Sequence, residues 1–380
     1  MRINPVIVAV GYNRINSMNR LLQALENAAY DEEVTLIISI DYGDNQNLIE
    51  NVNQFVWSHG EKIVKTHSKN LGLRKHVMEC IDYSIEYGAA IIFEDDTMPA
   101  PYFYSYVKKA VDFYAHEERI FAISLYSQLW NGFSNREFVP MKKSHDVYIS
   151  QIECSWGECF IGERWKEFKN WYIKNEGKLK DSEIIPSAVC MWKESYSKYL
   201  LYYIVENKKY YVTPYDSLST NFNNAGTHIS VGTSSYQVPL IQGEKDWNFP
   251  TVEEAVIYDA FFESISIKEL IEQRYPGKQV CIDYYGLHMD YEDYDLCLTT
   301  KTLNRKIIHK YGLELRPPEL NYYYNIPGDD LFLYDLSIEQ RNHLSRRKHH
   351  YNMLRYDVKE LQWIDSLFYT LYTWWRKIKK

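Results

Sequence analysis

The chain has 380 residues, 46% hydrophobic and 25% charged, the balance of a folded globular protein with room for two or three structural units of roughly 150 residues each. That excludes collagen-like, coiled-coil, small disulfide-stapled and largely disordered classes. The net charge of −8 is unevenly placed: from Leu336 onward ten Lys/Arg face four Asp/Glu, so the preceding body is strongly acidic, lacks the basic stripe that phosphate backbones need, and is not expected to bind nucleic acid.

In chain order, Pro5–Val10 (PVIVAV) is an unbroken apolar run, as expected for a strand buried on both faces of a parallel sheet. Apolar spacing of three and four predicts a helix over Met18–Ala28, capped by Asn16 or Ser17. Val34–Ile40 predicts a second buried strand closed by Asp41, Asn47–Trp57 a second helix, and Ile63–Val64 a short third strand. The NLGL turn leads into a helix around Arg74–Tyr87, and Ala89–Phe93 is a fourth buried strand that runs directly into Glu94-Asp95-Asp96. Strands alternating with helices, with polar clusters at strand carboxyl ends, predict an α/β fold whose mostly parallel sheet opens a ligand crevice at those ends.

Six cysteines without paired spacing predict neither a zinc site nor a disulfide framework, and a reducing cytoplasmic setting fits them. The short apolar run near the N-terminus reads as a strand and not as a signal peptide, and no stretch is apolar for long enough to span a membrane. Aromatic content is high, with 35 Tyr, 15 Phe and 10 Trp. Such side chains serve sugar rings, membrane interfaces or cores.

Three consecutive carboxylates at a strand end repel one another and need either full solvation or a cation. A hard divalent ion held by one or two of them keeps positions for water and substrate phosphates. A solvated acidic turn is the alternative; the apolar strand before the triplet, and Asp41 at the end of a second strand, favour the ion.

The blocks PVIVAVGYNR, LIISIDYGD, NLGLRKH, IIFEDDTMPAPYFYSYV, CSWGECFIGERW and SLSTNFNNAGTH occur in the order found in GT-A nucleotide-sugar glycosyltransferases, over about residues 4 to 230. The chain resembles the N-acetylglucosaminyltransferase I type and related bacterial surface-polysaccharide transferases. The resemblance implies a GT-A domain over residues 1–235; weaker periodicity and many aromatics set off an accessory or acceptor region over 236–335, and charge and apolar spacing a basic amphipathic segment over 336–380. It implies a UDP-sugar donor, a saccharide or lipid-linked saccharide acceptor, and Mn2+ with Mg2+ as substitute.

By the same resemblance Arg14 would contact the nucleotide and Asp41 the uracil imide, although Asp41 by itself also reads as a turn acid. Lys75 or His76 would meet phosphate or ribose, Glu94 and Asp95 the donor ribose or sugar, and Asp96 the metal. Trp156 and Gly157 would line the sugar pocket. Gly226, Thr227 and His228 belong to a loop that closes over the diphosphate, with His228 reaching the diphosphate or the metal. The expected Trp-Asp base is displaced here, where Met191-Trp192-Lys193-Glu194 stands. Glu194 is the first candidate base, with Asp181, Glu183 and Glu158 as alternatives, and inversion at the anomeric carbon is the expected outcome. A non-catalytic glycan-binding protein on the same scaffold is the alternative function, with a sugar-nucleotide nucleotidyltransferase a further one.

Between residues 236 and 335 the many aromatics read equally as acceptor-binding surface or as core, and His288 with Asp290, Glu292, Asp293 and Asp295 reads as a solvated loop more readily than as a metal cluster. In the tail, apolar residues from Leu361 to Ile378 recur at three and four, with aromatic flanks and a basic end. An amphipathic helix lying on the inner face of the cytoplasmic membrane is expected there, a helix docked on the core or a homodimer contact being the alternatives.

Overall fold

The computed structural model describes residues 3–179, 184–192, 195–222, 234–344, 346–358 and 362–378. The chain divides into two compact units, 1–269 with 287–290, and 270–286 with 291–380.

The first unit opens with the expected alternation: β1 (Val6–Gly11), α1 (Ile15–Glu26), β2 (Leu36–Ile40), α2 (Gln46–Gln54), β3 (Lys62–Thr66), α3 (Leu73–Ile81), α4 (Tyr83–Tyr87) and β4 (Ala89–Glu94). It continues with β5 (Thr97–Pro99), α5 (Phe103–Phe113), β6 (Ile120–Ser124), the short hairpin β7 (Trp130–Asn131) and β8 (Arg136–Glu137), β9 (Val147–Ser150) and β10 (Glu158–Ile161). Then come α6 (Gly162–Asn175), α7 (Ser187–Cys190), α8 (Tyr196–Glu206), β11 (Tyr210–Pro214), β12 (Ser219–Asn221) and β13 (Ile257–Tyr258).

Nine strands form one sheet in the order β13-β9-β11-β6-β10-β4-β1-β2-β3. It is mostly parallel; β10 runs antiparallel to both β4 and β6, and β9 antiparallel to β11. Because successive side chains point to opposite faces, Ile7, Ala9, Ile38, Ile91 and Phe93 face one apolar layer with α1, α2 and α5. Val6, Val8, Val10, Ile37, Ala90 and Ile92 face another with α3, α6 and α8. Burial on both faces is why these strands read as continuous apolar runs.

Two boundaries differ from expectation. Helix α1 starts at Ile15, because the first helical hydrogen bond runs from Met18 N–H to the Arg14 carbonyl at 3.0 Å, ahead of the Asn16 and Ser17 caps inferred from sequence. The helix expected over 74–87 breaks at Asp82, whose carboxylate accepts Trp165 Nε1–H and Lys169 Nζ–H at 2.7 Å each. Gly162 lets α6 begin against α4: a Cβ there would lie 2.2 Å from the Ser84 carbonyl oxygen.

The first unit includes the chain up to Glu269, and aromatics after residue 235 join its core. Trp247 packs 4.5 Å from Tyr106, and Tyr258 and Phe262 each lie 5.0 Å from Phe138. His288 stacks on Phe261 at 4.0 Å.

Across the unit boundary runs α9 (Ile265–Arg274). The second unit then contains β14 (Val280–Asp283), β15 (Leu296–Thr299), β16 (Arg305–Tyr311), α10 (Glu319–Tyr323), β17 (Leu331–Glu339), α11 (Arg346–Asp357) and α12 (Trp363–Ile378). Its sheet has the order β14-β15-β17-β16, with Ile282, Leu296, Leu298, Tyr311, Leu331 and Leu333 buried. Asp295 pairs with Lys278 at 3.0 Å, and among the described residues no group of three or more His, Cys, Asp or Glu is arranged to hold a metal ion. The six cysteines are free thiols.

Candidate active site

Strand β1 pairs in parallel with β2 on one side and β4 on the other, so the chain order reverses between β1 and β4. Loops leaving two parallel strands at such a point diverge and open a crevice at their carboxyl ends. Here the diverging segments are Tyr12–Arg14 after β1 and Asp95-Asp96 after β4.

Arg14 spans the crevice. Its Nη2 and Nε–H donate to the two Asp95 carboxylate oxygens, the latter at 3.2 Å, and Nη1 donates to Asp96 Oδ2 at 3.2 Å. Asp95 is buried; burial pushes its carboxyl up and the guanidinium holds it back. Asp96 also accepts Asn221 Nδ2–H at 3.1 Å, and its carbonyl accepts the Phe222 N–H at 2.9 Å. The antiparallel pair β5 and β12 makes this meeting, with Asn221 opposite Thr97. The start of the NFNNAGTH segment therefore lies at the metal candidate, while Gly226, Thr227 and His228 lie outside the described residues.

The acid pair is balanced by a cation, and its donors are hard oxygens. Both properties suit a divalent ion that keeps most of its coordination for water and phosphate, since Asp95 and Asp96 offer carboxylates without a third protein ligand among the described residues. Arg20 stands behind Arg14: its guanidinium lies 3.3 Å from the Phe222 ring centroid, and its buried Nε and Nη2 have no hydrogen-bond partner. Burial lowers the pKa of Arg20, opposed by attraction to Asp96.

At the ends of β1 and β2, Tyr12, Tyr42, Gly43, Asp44 and Asn70 line an open groove of about 580 Å3. Tyr12 and Tyr42 are 39% and 54% exposed, and the Tyr12 ring packs so closely over Gly43 that a Cβ there would lie 2.6 Å from it. Asp41 lies beneath as a buried turn acid. Its oxygens accept Tyr42 N–H at 2.8 Å, Leu71 N–H at 2.9 Å and Gly72 N–H at 3.1 Å, fixing the turn into α3.

His76 does not serve as the expected anion contact. It is buried, bonds Ser39 Oγ through Nε2 at 2.8 Å, and burial lowers its pKa to about 4, so the ring is neutral. Lys75 is exposed and lies 3.8 Å from Glu79.

Beside the crevice, Glu94, Glu153 and Glu158 form a cluster of carboxylates. Tyr196 O–H reaches Glu94 Oε1 at 3.5 Å, and Glu158 Oε1 accepts the Cys154 N–H at 3.0 Å. Burial pushes all three carboxyls up, and mutual repulsion adds to the rise at Glu94 and Glu158. Glu158 is only 1% exposed and burial pushes its carboxyl well up, both of which work against a general base, which must be ionised and within reach of the acceptor. The other base candidates, Glu194, Asp181 and Glu183, lie outside the described residues.

Trp156 packs against Tyr126 at 4.9 Å and Tyr236 at 4.6 Å, and its carbonyl accepts the Ser219 hydroxyl. Gly157 has φ +98°, and a Cβ there would lie 2.9 Å from Ser219 Oγ and 3.0 Å from Phe93, so glycine is required where β10 meets β4. Three features escaped sequence reading: Arg20, Glu153 and the Tyr12–Tyr42 groove. The arginines six residues apart in YNRINSMNR were the available signal for the first.

No family model matches the chain, and no curated protein matches it. Among solved structures it is similar to the mannosyltransferase PcManGT from Pyrobaculum calidifontis in complex with GDP-Man and Mn2+, at 13% identity over 43% of this chain and 46% of that one, TM-score 0.29. It is similar to S. aureus TarS residues 1–349, at 12% identity over 56% and 59%, TM-score 0.35. It is also similar to GalNAc-T7 with UDP, GalNAc and Mn2+, at 11% identity over 56% and 42%, TM-score 0.38. The chain spans about half the length of these structures.

Proposed function

We propose that the chain is a metal-dependent GT-A glycosyltransferase of the N-acetylglucosaminyltransferase I type, moving a sugar from a UDP-sugar to a saccharide or lipid-linked saccharide hydroxyl in bacterial surface polysaccharide synthesis. The observation that carries it is the Arg14, Asp95 and Asp96 constellation at the reversal of strand order. Mn2+ or Mg2+ would be held by Asp96 and His228 and would neutralise the charge that develops on the departing diphosphate.

The nucleobase lies against Tyr12 and Tyr42, with the Asp41 turn beneath it. Arg14 exchanges its carboxylate partners for donor phosphate, and Arg20 supplies its unpartnered N–H groups to the same diphosphate. Trp156 and Gly157 shape the sugar pocket, and Lys75 guides the anion from the first turn of α3. The new bond forms between the acceptor oxygen and the anomeric carbon as the bond to diphosphate breaks, with inversion. Glu194, or Asp181 in its place, takes the acceptor proton. A lipid-linked acceptor would put the enzyme at the cytoplasmic face of a membrane.

The test is a panel of nucleotide sugars with Mn2+, followed by UDP release. Release from a UDP-sugar that stops on chelation supports the reading. Nucleotide binding without metal-dependent release from any donor would point to the non-catalytic glycan-binding alternative.

A further inference from the structure

Helix α12 carries an exposed apolar half. At 100° per residue, Trp363, Ile364, Leu367, Phe368, Leu371, Tyr372, Trp374 and Trp375 fall within one arc of about half the circumference, and Ser366, Tyr369 and Thr370 occupy the other. The apolar arc is open: Trp363 is 75% exposed, Ile364 55%, Leu367 50%, Phe368 69%, Leu371 55% and Trp374 63%. Within the arc, Phe368 stacks on Tyr372 at 5.8 Å, and Tyr372 lies 5.6 Å from Trp375, so the aromatics form a continuous row. Helix α11 differs. It is tied to its own unit by Tyr356 O–H to the Leu315 carbonyl at 2.7 Å and by Asn352 Nδ2–H to Asp330 at 2.8 Å.

We infer that α12 is a docking surface for a lipid bilayer carrying anionic headgroups, on which the helix lies with its apolar arc in the acyl boundary. Three observations select this occupant. Leucines and isoleucine fill the middle of the arc while Trp363 and Trp374 line one margin and Tyr372 the other, the placement that suits rings with a polar edge at a water–hydrocarbon boundary. Arg376 and Lys377 in the last turn of α12, with Lys379 and Lys380 after it, supply positive charge complementary to anionic lipid. No described helix is long and apolar enough to cross a membrane, so α12 lies on the surface instead of spanning it.

The test uses the full chain and vesicles of phosphatidylcholine alone or with one part in four phosphatidylglycerol. Co-sedimentation with the mixed vesicles is expected, weakening in high salt. Leu367→Glu with Leu371→Glu should lower the partition coefficient on the order of tenfold or more on both vesicle types. Replacing Arg376, Lys377, Lys379 and Lys380 by Ser should reduce binding to the mixed vesicles only. Deletion of residues 362–380 gives a second loss-of-surface variant, and circular dichroism with thermal unfolding checks that each variant folds. Failure of the parent chain to bind mixed vesicles overturns the inference. So does binding that Leu367→Glu with Leu371→Glu leaves unchanged, or a dimer by light scattering that this variant dissociates in the absence of vesicle binding. Vesicle binding is read without substrate, so its outcome is independent of the transferase reading.

Discussion

Replacing Glu153 by Gln should stabilise the protein, and only above a definable pH. Burial raises the Glu153 carboxyl from its ordinary 4.5 to about 7, opposed by a hydrogen bond from Ser197, and its Oε1 has no partner. Below pH 4.5 the group is protonated in both folded and unfolded chains, and parent and variant should be equally pH-independent at this site. Between 4.5 and about 7 the unfolded chain releases a proton that the folded chain keeps, so the parent loses stability as pH rises. At roughly 1.4 kcal/mol per pH unit the interval gives a ceiling of about 3 kcal/mol. Partial exposure of Glu153, and sharing of charge with Glu94 and Glu158, reduce the expectation to about 1–2 kcal/mol. Urea unfolding of parent and Glu153→Gln at pH 5, 7 and 9 reads this directly. The gain of the variant should grow from pH 5 to a plateau near pH 8; a constant difference, or a loss at pH 9, would refute the buried-cluster argument.

Gly157→Ala should cost about 2–4 kcal/mol in unfolding free energy, because its positive φ and the 2.9 Å approach to Ser219 both oppose a Cβ; a thermal midpoint equal to the parent's would contradict the packing. Arg20→Met should raise the KM for the nucleotide sugar on the order of tenfold with a smaller change in kcat, and Arg20→Lys should recover part of it. Unchanged kinetics in both variants would remove Arg20 from the diphosphate site.

Much of the first unit is legible in the sequence because its strands are buried on both faces, and PVIVAV, LIISI and AAIIF show that directly. The helix ends are less legible. The helical pattern over 74–87 divides at Asp82, whose carboxylate holds Trp165 and Lys169 from far along the chain, a contact that no local pattern shows. The placement of Asp95 and Asp96 at a crevice is legible because they follow directly on an apolar strand buried on both faces. Glu153 was not, since it sits in irregular chain and its significance comes from Glu94 and Glu158 alongside it. His76 shows the converse: a histidine near a helix start looked like an anion contact, and only its burial against Ser39 shows it to be neutral. Aromatics after residue 236 were evenly balanced between surface and core; contacts such as Trp247 on Tyr106 place that part of them in the core.

The most direct test of the central claim is calorimetric titration of UDP into the chain and into Asp96→Asn, each with Mn2+ and with chelator. Asparagine keeps the side-chain size and one of the two acceptors that meet Asn221 and Arg14 while removing the charge that would hold the ion. The account predicts tight binding only for the parent with Mn2+, and affinity weaker by on the order of tenfold or more in the other three arms. Equal affinity in all four arms would contradict it.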